Sequence, residues 1–147
     1  MKQQKISNGQ RALWSFLIAT LVGPFFAALI VALLTLAAGA LQMGPPSLKG
    51  IAMTDVGARA AGWALQSYVW AALPAGLAGA AIAAWVSLKG TAPWLGVVAI
   101  GVVAFGIASV AVPGLLPNHG TALAFIAALS SLGVWAVLAR ARILAPG

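Results

Sequence analysis

The chain has 147 residues, of which 63% are hydrophobic and 6% charged, with a net charge of +7 and no cysteine. A water-soluble domain carries roughly a quarter charged residues, so lipid is the solvent this composition fits. The missing cysteines exclude disulfides, thiolate nucleophiles and iron–sulfur ligation, and cations scattered this thinly, with no basic run, exclude nucleic acid as a partner.

Lys2, Lys5 and Arg11 precede the first apolar stretch. With Ala38-Gly39-Ala40 further on, this resembles a signal peptide and its small-residue cleavage site. The apolar run, however, extends from Ala12 past Leu36, far longer than a signal core of roughly 7–15 residues, so an uncleaved anchor is expected. No charge interrupts 12–48, 60–88 or 90–139. A spanning helix takes about 20 residues, so the first two stretches hold one span each and the third holds two. The third is broken where Pro113, Gly114, Pro117, Asn118 and Gly120 crowd together. The expected spans are 13–41, 60–88, 93–112 and 121–139, in one polytopic domain covering 1–147, with outer loops 42–59 and 113–120. The fold class is therefore all-α, an integral membrane four-helix bundle. In the first loop, Gly44-Pro45-Pro46-Ser47 stops helix one, and Thr54 or Asp55 offers an oxygen to cap helix two.

Orientation follows from the cations. With the N-terminus in the cytoplasm, that side carries Lys2, Lys5, Lys89, Arg11, Arg140 and Arg142, against Lys49 and Arg59 outside, the latter partly offset by Asp55. Trp14, Trp85, Trp94 and Trp135 fall near the same expected interface, and Trp63 near the outer one. Both termini are expected in the cytoplasm, with the cations against anionic lipid headgroups. An alanine- and glycine-rich chain of this kind suits a bacterial inner membrane.

Helix two carries the clearest positional pattern. At 100° per residue, Ala72, Ala75, Gly76, Gly79, Ala80 and Ala83 share one face, with Trp70, Leu73, Leu77 and Trp63 opposite. Small residues let helix backbones approach closely in lipid, so the small face is expected to pack and the large face to meet lipid. Tyr68 is expected to point its hydroxyl into the bundle. A milder small face recurs at Gly101, Ala104, Ala108 and Ala111. Pro24 and Pro74 lie near the bilayer midplane and free the carbonyls of Thr20 and Trp70. Two kinks at similar depth can open a cavity for a lipid or quinone, or neighbouring helices can absorb them.

The chemical inventory is sparse. Asp55 is the only acid and His119 the only histidine. With Arg59, Tyr68 and Asn118 they form an expected polar cluster at the outer face, in which Asp55 and Arg59 can pair across one helical turn. One carboxylate excludes paired-carboxylate catalysis, and one His with one Asp falls short of a three-ligand metal site. Ser47, Ser67 or Ser109 with His119 and Asp55 would supply a triad's atoms, but no serine stands in a Gly-x-Ser-x-Gly elbow. No span holds an ionisable residue, which argues against a proton-driven exporter. No repeat at a fixed period supports an inverted-repeat transporter. No catalytic residue, cofactor or metal is expected.

Three functions remain. The first is a non-catalytic accessory or assembly subunit of a larger membrane complex, with other integral membrane subunits as partners. The second is a self-assembling homo-oligomeric pore, for which Thr20, Thr35, Gln66, Ser67, Ser109, Ser130 and Ser131 are a meagre lining. The third is a lipid- or quinone-handling protein that uses the proline kinks.

Overall fold

A computed structural model describes residues 7–43, 48, 50–111 and 120–144. Four helices follow one another, α1 (Asn8–Ala40), α2 (Met53–Lys89), α3 (Trp94–Ala111) and α4 (Gly120–Arg140), with no strand among the described residues. Each is long and apolar enough to cross a membrane. Only 17–28% of each apolar window is buried inside the bundle, so most of this apolar surface faces outward, as lipid allows and water does not.

Helix number and the two breaks agree with the charge pattern, but two helices start earlier than the spans do. α1 opens at a capping box: Gln10 N–H donates to Ser7 Oγ (3.3 Å) and Ser7 N–H to Gln10 Oε1 (3.2 Å). α2 begins at Met53 rather than 60, and its N-cap is Ala52, with no side-chain cap. Thr54 and Asp55, expected as caps, lie inside the first turn, where Asp55 still complements the helix dipole. A charge marks where lipid ends, and a helix can run on into water.

The exits are local. α1 closes with a left-handed Gln42 (φ 52°), whose N–H reaches Gly39 O (3.1 Å) while Met43 N–H reaches Ala38 O (2.8 Å). Gln42 Oε1 then accepts from Gly50 N–H (3.1 Å), tying the loop back. The helix thus ends ahead of the expected proline stop, whose Gly44 to Ser47 lie outside the described residues. α4 ends the same way at Arg142 (φ 54°), with Ile143 N–H on Leu138 O (3.1 Å). α2 ends at Gly90 (φ 72°), a conformation that side chains resist, pressed against Asn8.

Small residues set the helix approaches. A Cβ on Gly79 would lie 2.9 Å from Thr20 Oγ1 and 3.2 Å from Phe16 O, so α1 and α2 meet there almost backbone to backbone. At the other end of the same pair, a Cβ on Gly39 would overlap Val56 Cγ1 (2.5 Å). A Cβ on Gly101 would overlap Ser131 of α4, and one on Gly133 would meet the Phe26 ring (2.9 Å). Ala19, Ile82, Val86, Ala92, Val97, Val134, Leu138 and Ile143 form the core. They gather at the face where α1 begins and α4 ends. Arg11 Nη1 donates there to Ile143 O (2.8 Å), and Trp135 Nε1 to Ala92 O (3.2 Å). Residues 11 and 143 therefore share one face of the bundle, called the terminal face below.

Candidate functional site

The three described members of the expected polar cluster, Asp55, Arg59 and Tyr68, do not come together. Asp55 and Arg59 are exposed, and no ion pair joins them. Tyr68 follows Asp55 by 13 residues of unbroken helix, about 20 Å at 1.5 Å per residue. Its side chain is 38% exposed rather than inside the bundle. Asn118 and His119 lie outside the described residues. No group of three or more His, Cys, Asp or Glu side chains among the described residues could hold a metal.

The packing face of α2 is rotated from its expected place. Gly79 is buried, but Ala75, Gly76 and Ala83 are half-buried and Ala72 and Ala80 are exposed. The buried set is Val56, Ala60, Ala78, Gly79, Ile82 and Val86, about one residue's turn (~100°) round the helix. Side-chain size alone does not set a seam, because Ile82 and Val86 fill grooves that alanine would leave empty. Leu73, Leu77 and Trp63 do face outward, while Trp70 is half-buried and turns toward a cavity.

That cavity, of about 90 Å³, lies where all four helices meet. α1 contributes Ala19, Gly23, Ala27 and Val31, so it runs ~18 Å along the bundle. Pro74 and Trp70 of α2, Gly101 and Phe105 of α3, and Ser130 and Ser131 of α4 complete much of the wall. Alanine and glycine at so many lining positions leave the space, and Pro74 cannot donate to the Trp70 carbonyl beside it. Ser131 and Ser67 donate to their own helices, at Ala127 O (2.7 Å) and Ala64 O (2.9 Å). Ser130, only 7% exposed, has no hydrogen-bond partner for its hydroxyl. Toward the terminal face Ala19, Ile82 and Val134 belong to the close-packed core, which shuts that end.

A second feature is the tip of the α1–α2 hairpin. Trp85 and Trp63 stand about 22 residues apart on α2, ~33 Å, which matches a hydrocarbon core of about 30 Å bracketed by indoles. α2 runs on for about ten residues beyond Trp63, ~15 Å more, with α1 packed beside it through Gly39 and Val56. Headgroups take up only about 5–7 Å of that. The tip nevertheless presents Leu41 (65% exposed), Met43 (63%) and Met53 (53%). Sequence reasoning left Leu41 at the end of the first span and Met43 and Met53 in the outer loop without a role, although the tryptophan spacing against the helix length carries the signal. No family model, no curated protein and no solved structure matches the chain.

Proposed function

We propose that the chain is a non-catalytic accessory or assembly subunit of a larger membrane protein complex in a bacterial inner membrane. Both termini lie in the cytoplasm and the hairpin tip on the outer side, as the distribution of cations supports. One observation carries the reading: Leu41, Met43 and Met53 are exposed at the tip, beside the exposed Asp55 and Arg59, and the tryptophan spacing sets that tip at a height where lipid tails no longer reach. A cluster of exposed Leu and Met beyond the headgroups is costly in water, and a protein surface is what covers it. The described parts of α3 (18 residues) and α4 (21 residues) are ~27 Å and ~32 Å long, about the thickness of the hydrocarbon core. Among the described residues the α1–α2 hairpin is where helix length exceeds the bilayer, which favours a protein contact there. With a single acid and a single histidine, the chain has little to contribute to acid–base chemistry.

Purification of the tagged chain in mild detergent, followed by mass spectrometry, is expected to recover a larger integral membrane protein in fixed stoichiometry. Recovery of homo-oligomers alone would favour the self-assembling pore, and recovery of the monomer alone would remove the subunit reading.

A further inference from the structure

We propose that the interhelical cavity is a binding site for a linear apolar molecule that carries one hydrogen-bonding oxygen, of the acyl-lipid or isprenoid-lipid type. The proposal is independent of the partner at the hairpin tip.

Three observations converge on it. The cavity is long and narrow, ~18 Å from Ala19 to Val31, which suits a chain rather than a compact ring system. Its walls are largely Ala, Gly, Val, Leu, Ile and aromatic side chains, so water gains few hydrogen bonds inside and an apolar occupant is favoured. At one point the wall is polar and unsatisfied: Ser130 is more than nine-tenths buried, with a hydroxyl that neither accepts nor donates. Ser15 and Thr20 also carry buried hydroxyls without a partner, but of the three Ser130 alone lines the cavity, and its neighbour Ser131 shows the ordinary solution, a bond to the carbonyl four residues back. A ligand oxygen would satisfy Ser130. A hydroxyl-bearing ligand would also offer a donor on the side where Pro74 leaves the Trp70 carbonyl without its helical N–H. The chain would enter away from the terminal face, because Ala19, Ile82 and Val134 close that end.

The test is photolabelling of the full chain in nanodiscs with three diazirine probes of equal length: a fatty acid, an isoprenol and an unsubstituted hydrocarbon. Peptide mass spectrometry then locates the adducts. Labelling by an oxygen-bearing probe is expected to concentrate on cavity positions such as Phe105, Leu123 and Trp70, and whichever probe labels more identifies the source as acyl or isoprenoid. Ala71→Phe, which fills the cavity, is expected to abolish that labelling. Ser130→Ala removes only the hydroxyl and keeps the fold. It is expected to reduce labelling by the oxygen-bearing probe about fivefold, as the loss of one hydrogen bond does, and to leave the hydrocarbon unaffected. A purely structural Ser130 would give the opposite, since deleting an unpaired buried hydroxyl makes the cavity more apolar. Labelling spread evenly over lipid-facing positions such as Leu65 and Val110, or equal labelling by all three probes with no response to Ser130→Ala, would overturn the proposal.

Discussion

Gly79→Leu is expected to force α1 and α2 apart and to destabilise the bundle by about 3 kcal/mol or more, the upper range for overpacking, because the obstacle is backbone. The new Cβ alone would meet Phe16 O at 3.2 Å and Ala19 Cβ at 3.3 Å. The informative comparison is Gly76→Leu, three residues earlier on the same alanine-rich stretch. Nothing lies within 4 Å of a Cβ there, so that change is expected to stay within about 1 kcal/mol, with better helix propensity offsetting any loss. Leu77→Ala, on the outward face, should also be tolerated, because lipid fills the space. Thermal unfolding in detergent, followed by circular dichroism, reads all three. Equal melting of the Gly79 and Gly76 variants would refute the seam described above.

That pair of glycines also shows where sequence reasoning stops. Charges and the Pro113 to Gly120 break make four spans legible, because a membrane tolerates neither charge nor loop inside it. Helix starts at Ser7 and Ala52 are less legible, since both lie outside the lipid where hydrophobicity carries no information. On α2, Gly76 and Gly79 are indistinguishable by composition, and the choice between them depends on what α1 places opposite. Phe16, Ala19 and Thr20 make that choice, and nothing in α2 announces them. The site was legible only in outline. Pro24 and Pro74 are compatible both with a cavity and with kinks absorbed by neighbouring helices, and only Pro74 lines the cavity; Ser130 looked like any other helical serine until its neighbour Ser131 proved to be bonded and it did not. Tyr68 and Trp70 exchanged roles for the same reason that the small face rotated.

The second large effect concerns the hairpin tip. The triple variant Leu41→Asn, Met43→Gln, Met53→Gln is expected to reduce recovery of the partner subunit at least ~30-fold, as truncating an interface hot spot worth about 2 kcal/mol does. The bundle itself should melt within about 0.5 kcal/mol of the parent, because exposed side chains away from the packed seam contribute little to folding. Undiminished recovery of the partner would place the contact elsewhere on the molecule.

The most direct measurement uses the absence of native cysteine. Single cysteines are placed at the tip, Met43→Cys and Met53→Cys, and at mid-span, Leu21→Cys and Leu77→Cys. Each is treated with a water-soluble maleimide, both in native membranes and after purification and reconstitution in lipid alone. The expected result is fast labelling of both tip positions in the reconstituted chain, strong protection of the same positions in native membranes, and no labelling at mid-span in either. Tip cysteines silent in pure lipid would show that the hairpin stays within the bilayer, and tip cysteines equally reactive in both preparations would show that no partner covers them.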